Sequence, residues 1–137
     1  MKSDASNYLL DSHALLAFLR DERGAHWVDH LLRSAEQNEV SLQMSVINWG
    51  EVTDIVERER GVAGAQDALD VIDGLPIEIL PAPRETVLAA AHIKARFPIA
   101  YADAFAVAAA QSTGATILTG DPEFELVRDI VPVEILA

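Results

Sequence analysis

Ile99-Ala100-Tyr101-Ala102-Asp103-Ala104-Phe105-Ala106-Val107-Ala108-Ala109-Ala110 is an alanine-rich apolar run with one charged side chain, Asp103. Helical spacing puts Ile99, Ala106, Val107 and Ala110 on the same side as Asp103, so the carboxylate lies on or beside the stripe that faces the core. An ionised group there is expensive unless a cation, a hydrogen-bond network or a metal accompanies it. Thr113-Gly114 ends the helix, and Thr116-Ile117-Leu118 follows as a strand of the buried type.

The same alternation of strand and helix extends outward in both directions. Asn7-Tyr8-Leu9-Leu10 is a short strand ending at Asp11-Ser12, after which His13 to Leu19 has helical character. Beyond Gly24, the residues Trp27, Val28, Leu31 and Leu32 mark an amphipathic helix that ends near Asn38. Val40 to Met44 reads as a strand, and Ser45 caps a helix on which Ile47, Glu51 and Ile55 are i,i+4 neighbours and Asn48 lies one turn before Glu51. Gly61 is expected to end that helix, with a further helix from Val62 to Ile72 closed by Gly74. Pro76 to Leu80 is a strand. Arg84 to Arg96 is a helix with Val87, Leu88, Ala91 and Ala95 inward, stopping before Pro98. Thr119-Gly120-Asp121-Pro122 turns into the short segment Glu123 to Val127, and Val131 to Leu136 is the last strand.

This pattern predicts a single domain over residues 1–137, an α/β/α sandwich with a mainly parallel central sheet. Half of the residues are hydrophobic and 23% are charged, the balance of a chain that buries a core. Without cysteine there are neither disulfides nor thiolate metal sites. Met1 to Ser6 is polar with no signal-like apolar segment behind it, and the run at 99–110 is too short to span a bilayer, so a soluble cytoplasmic protein is expected. The formal net charge of −12 argues against a protein that holds nucleic acid by a broad basic surface, though not against nucleic acid as a substrate. It leaves open acids gathered around divalent cations, or an acidic surface for a basic partner.

Sites in open parallel sheets form beyond the carboxyl ends of the strands, where Asp11 and Asp121 are placed; Glu51 and Asp103 come from flanking helices. Each acid has a plain structural alternative. Asp11 and Asp121 can be helix N-caps, the latter with proline at the first helical position, and Asp103 sits in a first turn favoured by the dipole. Glu51 can be a snorkelling carboxylate or part of an ion pair. If all four converge, like charges raise one another's pKa, whereas Mg²⁺ or Mn²⁺ would hold them ionised and open a site for phosphate. Such metals polarise a phosphodiester and supply hydroxide without a protein nucleophile, so a hydrolase of nucleic acid or phosphoester is the natural output.

Four blocks carry a resemblance: Leu9-Leu10-Asp11-Ser12-His13-Ala14-Leu15-Leu16, Ile47-Asn48-Trp49-Gly50-Glu51-Val52, Tyr101-Ala102-Asp103-Ala104-Phe105-Ala106, and Leu118-Thr119-Gly120-Asp121-Pro122-Glu123-Phe124. In that order and spacing, over essentially the whole chain, the sequence resembles the PIN-domain ribonucleases, particularly VapC-type toxins of toxin–antitoxin pairs. The resemblance implies a PIN-like three-layer sandwich and Mg²⁺- or Mn²⁺-dependent endonucleolytic cleavage of cellular RNA (tRNA, rRNA or mRNA). It also implies a homodimer and a small cognate antitoxin. Asp11, Glu51 and Asp103 match the family's principal acids and Asp121 its more variable fourth; Ser12, Asn48 and Thr119 fall where supporting polar residues occur. Where many relatives carry a serine shortly before the third acid, this chain has Ala100, Tyr101 and Ala102. RNA would have to approach along a local strip of Arg20, Arg23, Lys94 and Arg96, which can equally be ordinary solvated helix ends.

His13, His26, His30 and His92 are given no role, Trp27, Trp49 and Phe124 read as core aromatics, and Glu123 and Glu125 read as exposed first-turn charges. Two other functions compete. An aspartyl-phosphate phosphatase with Asp11 as nucleophile would want a second Asp where His13 stands, and a lysine after the later strands. A PIN-like RNA or protein binding module with a degenerate site is disfavoured by four retained acids.

Overall fold

A computed structural model describes residues 6–136; the polar start, Met1–Ala5, lies outside the described residues. Five strands form one sheet in the order β3-β2-β1-β4-β5, with every neighbouring pair parallel. In chain order the elements are β1 (Asn7–Leu10), α1 (Ser12–Leu19), α2 (Ala25–Glu36), β2 (Ser41–Ser45), α3 (Val46–Asp73), β3 (Glu78–Leu80), α4 (Arg84–Arg96), α5 (Tyr101–Thr113), β4 (Thr116–Thr119), a 3₁₀ turn (Pro122–Val127) and β5 (Val133–Ile135). The expected α/β/α sandwich is therefore the observed one. No helix among the described residues is long and apolar enough to cross a membrane.

Strand alternation divides the core in two. Leu9 and its register partner Ile117 are buried with Val133 under α4 and α5. Leu10, paired with Leu118, is buried with Leu42 and Met44 on the other face, under α1, α2 and α3. Small side chains matter most on α5, where Ala104, Ala106, Ala108, Ala109 and Ala110 are all buried; short side chains let the helix axis lie close to the strands. Gly114 ends α5 in the left-handed region (φ 71°), and the Ala115 N–H closes onto the Ala110 carbonyl.

The chain runs outward from β1 to β2 and β3, then crosses back through α4 and α5 to enter β4 on the opposite side of β1. This reversal opens a crevice between the carboxyl ends of β1 and β4.

As expected, Gly61 (φ 78°, ψ 177°) leaves the helical region and divides α3 into two helical pieces, residues 46–60 and 62–73. Two expectations change. The strands expected over 76–80 and 131–136 shorten to Glu78–Leu80 and Val133–Ile135. The inward face of α4 is also different: Ala90 and Ile93 are buried, whereas Val87, Leu88, Ala91 and Ala95 are exposed. The helix rests on α5 through Ala90 and Ile93, and Val87 and Leu88 face outward.

Candidate functional site

Asp11 is completely buried at the end of β1, its N–H held by the Leu118 carbonyl (3.2 Å). Its extended backbone leads into α1, and Oδ1 accepts the Ala14 N–H (2.9 Å), so the capping role is real. The other oxygen is committed too. Oδ2 accepts the Thr119 hydroxyl from neighbouring β4 and lies 3.5 Å from His13 Nδ1.

Glu51 projects half-buried from α3 toward α1, where the Ser12 hydroxyl donates to its Oε1. One turn earlier, fully buried Asn48 donates from Nδ2 to the Ala102 carbonyl (3.2 Å), joining α3 to the first turn of α5; its Oδ1 has no partner among the described residues. Asp103 follows Ala102 in that turn. It is 6% exposed, and among the described residues no hydrogen bond or ion pair reaches its carboxylate in the structure.

Asp121 caps the 3₁₀ turn after β4, as its Pro122 neighbour suggested, with Oδ1 accepting the Glu123 N–H (2.9 Å). Thr119 ties this turn to Asp11: its hydroxyl oxygen accepts the Asp121 N–H (2.9 Å) while donating to Asp11. Buried Phe124 anchors the turn to the core, and Glu123 is left at its exposed edge. Carboxylate oxygens of Asp103, Asp121 and Glu123 lie within 4.8 Å of one another. Asp11 and Glu51 are outside that triplet yet close enough for their charges to act on Asp103.

The electrostatics report the crowding. Burial pushes the Asp103 carboxyl up to about 7, helped by the negative charges of Asp11, Asp121 and Glu51 and opposed by His13. The hydrogen bond to Asp11 raises His13 to about 9; partial burial opposes the shift, and the charges of Asp11, Asp121 and Asp103 add to it. Thus His13, given no role in the sequence reading, is a cation on the rim of the site at neutral pH. Glu123, which the sequence presents as an exposed first-turn charge, joins the cluster only because α5 brings Asp103 to the turn after β4.

The basic strip is reduced by pairing. Arg20 lies 2.6 Å from Glu59 and 4.0 Å from Glu22, so its charge is already engaged. Arg23, Lys94 and Arg96 are exposed.

An all-parallel sheet with acids gathered at its switch point defines a class of oxygen-ligand site suited to hard divalent cations. The buried, donorless Asp103 carboxylate fits such a cation, because full ionisation there otherwise lacks compensation. The PIN domain family model matches residues 8–130, and the chain belongs to that family. No curated protein matches it. Among solved structures, it is similar to VapBC2 from Rickettsia felis bound to a promoter DNA fragment (TM-score 0.75, 16% identity, 96% of this chain and 99% of that one). It is also similar to FitAcB from Neisseria gonorrhoeae (TM-score 0.70, 22% identity, 92% and 95% covered). A third is Mycobacterium tuberculosis VapC20, described as a toxin that cleaves the sarcin–ricin loop (TM-score 0.69, 15% identity, 86% and 92% covered).

Proposed function

We propose that this chain is a divalent-cation-dependent endoribonuclease, the toxin of a type II toxin–antitoxin pair acting on cellular RNA in the cytoplasm. The observation that carries the reading is Asp103: a carboxylate on a residue 6% exposed, without a donor among the described residues, close to Glu51 from one other helix and to Asp11 and Asp121 at two strand ends. Membership of the PIN family supports the nuclease class, and the toxin–antitoxin complexes among the similar structures support the partner.

Asp11, Glu51, Asp103 and Asp121 are the residues that would hold Mg²⁺ or Mn²⁺. When bound, the ion would polarise the scissile phosphate and lower the pKa of its water. The chain's own work is positioning. Thr119 and the Ala14 N–H fix both oxygens of Asp11, Ser12 fixes Glu51, and Asn48 holds the turn that carries Asp103. Such outer contacts set the direction of ligand lone pairs. His13 places a positive charge where an RNA phosphate arrives at an otherwise negative rim. A second copy of the chain is expected on the outer face of α4, where Val87, Leu88 and Ala91 are exposed.

The test is cleavage of RNA by the purified chain with Mg²⁺ or Mn²⁺, with EDTA, and with Asp11→Asn or Glu51→Gln. Metal-dependent cleavage lost in both variants is expected. Cleavage that persists in EDTA or in both variants defeats the reading, and RNA binding without cleavage by the wild type indicates a binding module.

A further inference from the structure

The carboxylates at this site differ in how much compensation each has. Asp11 has both oxygens engaged, by the Ala14 N–H on one and by Thr119 and His13 on the other. Glu51 Oε1 takes the Ser12 hydroxyl, and Asp121 Oδ1 takes the Glu123 N–H. Asp103 has no donor among the described residues although it is nearly inaccessible to solvent. Among the described residues, its oxygen lies in the one place where carboxylate oxygens of three residues come within 4.8 Å of one another, shared with Asp121 and Glu123. A carboxylate without a donor, on a residue only 6% exposed and beside two other carboxylates, is where a cation relieves the most electrostatic cost.

We propose that Glu123 is a ligand of the divalent cation, together with Asp103 and Asp121, which places the ion on the β4 side of the site. This rests on the metal-dependent reading above and adds to it a residue outside the four acids of the family pattern. Oxygens on opposite sides of an octahedral Mg²⁺ lie about 4 Å apart, and those across a larger ion such as Ca²⁺ about 5 Å, so a small adjustment brings the three into one coordination sphere. The turn is built to hold Glu123 there: Asp121 caps its N–H, Pro122 fixes the first position, and buried Phe124 prevents the segment from rotating away. Glu125, on the same turn, is paired with Arg128 and lies outside the cluster.

The experiment is Mn²⁺ binding to the full chain, read from the loss of free-ion electron paramagnetic resonance signal, for wild type, Glu123→Gln and Glu125→Gln. Glu123 is exposed, so its variant is expected to keep the wild-type circular dichroism spectrum and melting temperature in EDTA. The inference predicts Mn²⁺ affinity at least about tenfold weaker in Glu123→Gln and within about twofold of wild type in Glu125→Gln. Equal affinity in wild type and Glu123→Gln overturns it, and so does an equal loss in both variants, which would mark a general charge effect. Wild-type protein that binds Mn²⁺ through Glu123 but cleaves no RNA removes the nuclease reading and leaves this one standing. Cleavage abolished by Glu51→Gln with unchanged Mn²⁺ affinity in Glu123→Gln removes this one alone.

Discussion

The Thr119 hydroxyl donates to Asp11 Oδ2 across the junction of β4 and β1, joining two residues 108 positions apart in the chain. The parallel register, in which Leu10 faces Leu118, makes this contact a property of the sheet, since each residue is the next one along its chain. Replacing Thr119 with Val keeps the shape and leaves a buried carboxylate oxygen short of a donor. The expected loss of stability is about 1–3 kcal/mol, read by urea denaturation of the metal-free chain. Metal-dependent RNA cleavage is expected to fall about 10–100-fold, because Asp11 also loses its orientation. Wild-type cleavage by this variant would show that Thr119 serves only the turn.

Asp103 makes stability depend on pH in the metal-free protein. Its folded pKa of about 7 lies above the ordinary carboxylate value of 3.8, so between those limits the folded state holds a proton that the unfolded state releases. Stability therefore falls as pH rises from about 4 to 7 and levels off above, by an amount on the order of 4 kcal/mol. Asp103→Asn is expected to flatten this segment and raise the melting temperature at pH 8, while cleavage is lost. A variant no more stable than wild type at pH 8 would show that another group compensates the buried charge. His13 adds a separate limb. Its pairing with Asp11 is stabilising below the ordinary histidine pKa of 6.5 and is lost as pH passes about 9, so His13→Ala should remove that alkaline limb.

Divalent cation should reverse the first of these effects. A ligand that binds only the folded state stabilises it by about 2.7 kcal/mol at one hundred times its Kd. At pH 8, Mg²⁺ or Mn²⁺ is expected to raise the melting temperature, EDTA to return it, and Asp103→Asn to abolish most of the response. The same increment in wild type and variant would place the ion elsewhere.

The alternation of short apolar runs with helical periods was enough to read the parallel sandwich, because buried strands such as Thr116–Leu118 and glycine stops such as Gly114 are local signals. Asp11 and Asp121 were readable as caps and as strand-end acids at once, and the structure has them as N-caps at strand ends, since a cap uses only one of two carboxylate oxygens. Glu123 was not readable, because its exposure and first-turn position are those of any surface acid. Only the approach of α5 to the turn after β4 brings Asp103 to it. The pairing of Arg20 with Glu59 depends likewise on α1 meeting α3, which no local pattern contains. The orientation of α4 failed for a related reason: alanine suits either face of a helix, so the apolar stripe through Val87, Leu88, Ala91 and Ala95 did not say which side met α5.

The outward apolar stripe of α4 is suited to contact with a second copy of the chain. Val87 and Leu88 are 37% and 65% exposed on the outer face of α4, and Ala91 lies one turn along. A chain with a formal charge of −12 repels its own copies, so association needs a face where apolar area outweighs that repulsion. With alanines beside Leu88, two such helices can approach closely and bury the leucine against its counterpart in a two-fold arrangement. Leu88→Lys is expected to convert the proposed dimer to a monomer in sedimentation or light scattering, while the melting temperature of the folded chain in dilute solution changes little. Leu126→Lys, which alters another exposed leucine (49%) on the turn after β4, is the comparison and should leave the oligomeric state unchanged. A dimer that survives Leu88→Lys would place the contact on another face.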